Sequence, residues 1–168
     1  MYNYEHLKNF VKEFFIKIGC NISDAEIISN VFISAELRNI PSHGLIRIID
    51  YYNLWKTGRI NVKPEIKIIY ETLSIAVVDG DNGIGMVVAH KSMELAIEKA
   101  KVAGTGWVAT MGSNHFGIAG YYAMMALKHD MIGITLTNAN PLVAPTFSVS
   151  RLLGTNPIAV AIPAGKYP

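Results

Sequence analysis

Cys20 is the one cysteine in 168 residues. No internal disulfide can form, and a thiolate zinc cluster has no second thiol to use. That usage fits a reducing cytoplasm, where this reading locates the protein. Charge is sparse as well: Asp, Glu, Lys and Arg are 17% of the chain, against roughly a quarter in an average soluble domain. The balance of 15 basic and 13 acidic residues leaves a formal charge of +2. That field is too weak to recruit nucleic acid or an anionic membrane. Long apolar runs are missing, since the longest, Phe116 to Leu127, falls short of the roughly 20 residues of a membrane helix. No signal peptide is visible, because residues 1–8 already alternate apolar and polar side chains at helical spacing. What is plentiful is apolar side chain, 51% of residues. This excludes a disordered chain and exceeds what one small core requires.

The first third reads as helices. Tyr4, Leu7, Phe10, Val11, Phe14, Phe15 and Ile18 share one face, and Gly19 supplies a stop. Ser23-Asp-Ala-Glu26 has the form of a capping box before a second helix that turns Ile27, Ile28, Val31, Phe32 and Ala35 inward. A third stripe, Leu45, Ile48, Ile49, Tyr52 and Trp55, follows Pro41-Ser42-His43-Gly44 and stops near Gly58. After Pro64 the period changes. Glu65 to Glu71 and Leu73 to Val78 read as paired strands, Asp79 to Gly83 as a turn, and Met86 to Ala100 as a helix ended by Gly104. Then come a strand from Trp107 to Met111, a helix from about Ile118 to Lys128, a strand from Met131 to Thr137, a long loop, and a strand from Ile158 to Ile162. The pattern predicts an α/β (α+β) protein: a helical part over residues 1–64, then a sheet with crossover helices over 65–168.

Chemistry concentrates in a few turns. The glycines Gly80, Gly83 and Gly85 fail the dinucleotide fingerprint G-x-G-x-x-G, because Val88 stands at its last position. They read as a strand-to-helix turn. His6, His90 and His129 sit among Lys and Glu on helical segments and read as surface residues; no histidine pair has metal-ligand spacing. His43 and His115 differ, because both occupy turns. Ser42 either caps the next helix or belongs to a site in which His43 carries protons and Arg47 offers a planar fork to a carboxylate. Gly112-Ser113-Asn114-His115-Phe116-Gly117 ends a strand and opens a helix. It is either a polar capping turn or a place where an imidazole works as acid and base near a bound anion. The loop ending in Leu153-Gly-Thr-Asn-Pro157 either binds something or moves.

Taken in order, Ser42-His43-Gly44 with Arg47, Gly112 to Gly117, and Leu153-Gly-Thr-Asn-Pro-Ile-Ala159 with Ile162-Pro163 resemble the malate/L-lactate dehydrogenase family. This family has a non-Rossmann, sulfolactate-dehydrogenase-like fold, which accounts for the failed fingerprint. The resemblance implies hydride transfer between NAD or NADP and a small 2-oxo or L-2-hydroxy acid, with no metal. By motif, His115 would be the general acid and base, and Arg47 would grip the substrate carboxylate. His43 with Ser42 would line the same pocket, a second proton relay being one role for them. Ser113, Asn114, Phe116 and Gly117 would border nicotinamide and substrate; Thr137, Asn138, Gly154, Thr155 and Asn156 would border the cofactor. A homodimer with a shared active site is also implied. Where the family commonly has a glycine pair, this chain has Thr146 to Ser150. Members also continue beyond the segment matching Ala164 to Pro168, so the chain looks like an N-terminal portion. Weak or absent activity of this 168-residue form is therefore expected. The reading from another class is a truncated, non-catalytic remnant acting as an oligomerising or binding module.

Overall fold

The computed structural model describes residues 3–165. They divide into two compact units, Met1–Ile118 and Ala119–Pro168. In the first, α1 (Tyr4–Lys17) opens on Asn3, whose side chain accepts the Glu5 amide at 2.8 Å. Glu5 in its first turn and Lys17 in its last both complement the helix dipole. The second helix, α2 (Ile22–Leu37), starts before the predicted capping box. Its cap is Asn21, which accepts the Asp24 amide at 2.8 Å, while Ser23 donates its hydroxyl to Asn21. Glu26 is drawn instead to Lys8 and Lys12 of α1, at 2.6 and 2.7 Å. Those two ammonium groups hold its carboxyl below the usual range. An ion pair with a neighbouring helix thus displaces the local box.

Buried α2 residues Ala25, Ile28, Val31, Phe32, Ile33 and Ala35 make it the core helix of this unit. It packs on α1 through an aromatic cluster. The ring of Phe15 lies 5.9 Å from Phe32 and 6.1 Å from Tyr51, and Phe32 lies 5.6 Å edge-on to Tyr51. Tyr51 belongs to α3 (Ile48–Lys56), which follows two 3₁₀ turns, Pro41–His43 and Leu45–Arg47. Two strands then pair antiparallel, β1 (Lys67–Glu71) and β2 (Ile75–Gly83), and α4 (Gly85–Ala103) crosses over to β3 (Trp107–Ser113), parallel to β2. Along β2 the buried residues Ala76, Val78 and Gly80 alternate with less buried neighbours, the signature of a sheet covered on one face. Asp79 to Gly83 is not a separate turn. It is the bent end of β2, where the register slips and Asp81 and Asn82 take positive φ.

In the second unit the predicted helix from Ile118 to Lys128 is broken. It is α5 (Ala119–Ala123), followed by a 3₁₀ turn, Ala126–His129. The bond from the Met125 amide to Tyr122 tightens the chain to three-residue spacing, and Asp130 ends it in the left-handed region. Strands β4 (Gly133–Leu136) and β5 (Ile158–Ala161) pair antiparallel. Gly133 and Ala161 are buried on the face that packs against α5, while Ile134, Leu136, Ile158 and Val160 share the exposed face. No helix among the described residues is long and apolar enough to cross a membrane.

Candidate active site

Two segments of the first unit meet beside Tyr51 of α3. The turn from Pro41 to Arg47 is shaped by Glu36 of α2, whose Oε1 accepts the Leu45 amide at 2.7 Å. A side chain on Gly44 would collide with that carboxylate, so glycine is what lets the cap reach. The next segment, Asn114 to Gly117, is tied to the end of β2. Asn114 Nδ2 donates to the carbonyls of Asn82 at 2.9 Å and Gly83 at 3.1 Å. Gly85 at the start of α4 lies so near the carbonyls of Asn114 and His115 that any Cβ there would strike them.

His43 and His115, 72 positions apart in the sequence, stack with ring centroids 5.5 Å apart and planes 25° from parallel. Ser42 Oγ lies 3.0 Å from His43 Nδ1. It therefore serves the imidazole, and the helical turn that follows is capped from Glu36 and not from Ser42. Arg47 donates through Nε to the Ser42 carbonyl at 2.7 Å and through Nη1 to Asp50 at 2.9 Å. Three of its five N–H groups remain, on Nη1 and Nη2, enough for an end-on grip of a carboxylate. The phenol of Tyr51 lies 2.7 Å from His115 Nδ1 and 2.9 Å from the His115 carbonyl.

Charge and burial act together here. His115 keeps an exposed edge, but desolvation of its inner side pushes it down to about 4, helped by His43 when that ring is protonated and by the Arg47 charge, and opposed by Asp50. His43 is lowered for the same reasons, burial first and then Arg47. Both imidazoles are thus neutral at pH 7, each able to take a proton.

A family model described as malate/L-lactate dehydrogenase matches residues 2–168. The chain belongs to that family. Relatives include the L-sulfolactate dehydrogenase of Methanocaldococcus jannaschii, 49% identical over 163 residues, covering 97% of this chain and 47% of the relative. The malate dehydrogenase of Pyrococcus abyssi is 51% identical over 164 residues, covering 98% of this chain and 45% of the relative. The solved sulfolactate dehydrogenase from Methanocaldococcus jannaschii superposes with a TM-score of 0.95 at 48% identity, over 98% of this chain and 48% of that one. The fold is therefore the sulfolactate and malate dehydrogenase fold, and the chain spans about half the length of the curated relatives it matches.

Other residues that the sequence singled out fall in both units. Ser113 ends β3 and is exposed, and Gly117 is buried at φ +77 with its amide 3.4 Å from His115 Nδ1. Phe116 lies half-buried between them. In the second unit Thr137 donates to the Asn138 carbonyl, and Asn156 Oδ1 accepts the Ala139 amide at 2.9 Å beside Gly154. Thr155, Asn156 and Asn138 are exposed. The Ser113 and Thr155 hydroxyls make no hydrogen bond among the described residues. Within each unit, taken by itself, these hydroxyls and amides are donors and acceptors of the kind that ribose and amide groups pair with. Among the described residues no cluster of three or more His, Cys, Asp or Glu could hold a metal. Three contributors had no signal in the sequence: Tyr51, Asp50 and Glu36. Tyr51 and Asp50 sit in an ordinary helix, and Glu36 acts nine residues away.

Proposed function

We propose that the protein transfers hydride between NAD or NADP and a small 2-oxo or L-2-hydroxy acid such as malate or lactate. The observation that carries this reading is the stack of His43 on His115 beside Arg47, held over the Tyr51 phenol, in a chain whose relatives are dehydrogenases. When bound, the nicotinamide supplies or accepts the hydride. Arg47 grips the substrate carboxylate and so fixes which face of the adjacent carbon is presented. In the oxidation direction, neutral His115 takes the hydroxyl proton as hydride leaves; in reduction it returns a proton to the carbonyl oxygen. A substrate carboxylate between Arg47 and the imidazoles offsets the cationic field that adds to burial in keeping His115 neutral, so substrate binding itself makes the acid form more accessible.

Ser42 and His43 line the same pocket and offer a second path for the proton. Ser113, Asn114, Phe116 and Gly117 border nicotinamide and substrate, and Thr137, Asn138, Gly154, Thr155 and Asn156 border the rest of the cofactor. The same reading assigns residues 1–64 to a helical domain and 65–168 to a cofactor-binding α/β domain. It makes the active species a homodimer with a shared site and puts it in a reducing cytoplasm, where the buried, unpaired Cys20 needs no partner. The test is oxidation of NADH and NADPH by the intact protein against oxaloacetate, pyruvate and sulfopyruvate, with the methyl esters as controls. Reduction of at least one acid and not of its ester is expected. Failure with every acid and both cofactors would overturn the reading.

A further inference from the structure

Tyr51 is 1% exposed, packed edge-on against Phe15 and Phe32, and meets His115 edge-on as well, with ring centroids 5.9 Å apart. Its one hydroxyl faces two atoms of the same residue, Nδ1 at 2.7 Å and the backbone carbonyl at 2.9 Å. A phenol has one proton to give and lone pairs to accept with, whereas a carbonyl only accepts. Both short contacts are hydrogen bonds at once in a single arrangement, with the phenol donating to the carbonyl and accepting from a protonated Nδ1. The alternative, in which the phenol donates to Nδ1, leaves two oxygen lone pairs facing each other at 2.9 Å in a buried setting. The Gly117 amide points its N–H at the same nitrogen, a contact that by itself favours a bare Nδ1, but at 3.4 Å it is longer than either phenol contact and beyond the usual range for a strong bond.

We propose that Tyr51 is a positioning residue that locks His115 as its Nδ1–H tautomer, leaving the Nε2 lone pair as the reactive position. His115 Nε2 has no hydrogen-bond partner among the described residues. The bond at Nδ1 is the same whether Nε2 is bare or protonated, so the ring keeps its orientation through a proton cycle and the phenol never changes state. Burial raises the Tyr51 phenol far above its ordinary range, which keeps it a donor to the carbonyl at any working pH. The role of the Nε2 lone pair in catalysis rests on the acid and base assignment proposed above; the tautomer does not.

Nitrogen NMR of ¹⁵N-histidine-labelled intact protein at pH 7 reads the tautomer directly. His115 is expected to show a pyrrole-type Nδ1 and a pyridine-type Nε2, and Tyr51→Phe, which keeps the ring in its aromatic cluster, is expected to shift the population toward Nε2–H. In turnover with NADH and a 2-oxo acid, Tyr51→Phe should lower kcat by about 10- to 100-fold, by analogy with the loss of an orienting partner of a metal-bound histidine, with KM within about twofold. A wild-type His115 found as Nε2–H overturns the proposal and needs no variant to fold. So does a folded Tyr51→Phe protein whose tautomer is unchanged. Should the tautomer behave as expected while His115→Asn retains full turnover, the lock stands and the catalytic assignment of His115 falls.

Discussion

The turn carrying His115 and the loop from Thr137 to Asn156 are both polar, glycine-containing and rich in resemblance to the family, yet they are held in different ways. The bonds at His115 come from far away in the sequence: Tyr51 is 64 residues distant, and Asn114 reaches back 31 and 32 residues to β2. In the other loop the anchors are its own. Leu142 and Val143 pair with Leu153, the Ala139 amide meets Asn156, and Ser148 bonds within its own turn. Phe15, Phe32 and Tyr51 are buried behind the first region, whereas Phe147 and Val149 in the second are fully exposed. A reacting group needs its geometry fixed before substrate arrives, and distant packing fixes it more firmly than a loop's own turns. The proposed function places the proton chemistry in the first region, the one whose geometry distant packing fixes.

The sharpest contrast to test is the same substitution in both places. Phe32→Ala removes a fully buried ring and should destabilise the protein by about 3–5 kcal/mol, read from the midpoint of urea unfolding. Near-equal midpoints for Phe32→Ala and wild type would break the comparison. Next in size, Arg47→Lys keeps the charge and loses the fork, so KM for a 2-oxo acid should rise roughly tenfold or more while cofactor affinity stays put, as expected when a hydrogen bond to a charged group is lost. A change in cofactor affinity alone would move Arg47 out of the substrate pocket.

A smaller effect should appear with pH. His115 titrates at about 4 in the folded chain, below the ordinary histidine value of 6.5, so between those values the unfolded chain binds more protons. Stability from this group is therefore complete above pH 6.5 and is lost as pH falls toward 4. Unfolding midpoints measured across that window should fall less steeply for His115→Asn than for wild type, and parallel curves would show that burial does not hold the imidazole neutral. Smallest of all, Phe147→Ala should change the unfolding free energy, read from the same urea curves, by no more than about 0.5 kcal/mol.

Periodicity made α1 and α4 legible, because each carries one apolar face and each stops at a glycine, Gly19 and Gly104. His43, Arg47 and His115 were legible too, as polar residues in turns that a plain connection would not need. Tyr51 was not. The stripe through Ile49, Tyr52 and Trp55 assumed a helix running from Leu45, but residues 45–47 form a 3₁₀ turn and α3 begins at Ile48. That tighter winding changes the phase, so Tyr51 is buried and Ile49 is 59% exposed. Asn21 and Glu36 were missed for a related reason. Each cap was decided by a longer-range contact: Glu26 to the lysines of α1 in one case, and Glu36 across nine residues in the other.

The central claim is that His115 handles the proton while hydride moves elsewhere. Its most direct test is 2-oxo acid reduction by His115→Asn in the intact protein, with NADH or NADPH binding measured on the same sample. The account predicts a loss in kcat of at least ~10²-fold with cofactor affinity unchanged; turnover within about twofold of wild type would contradict it.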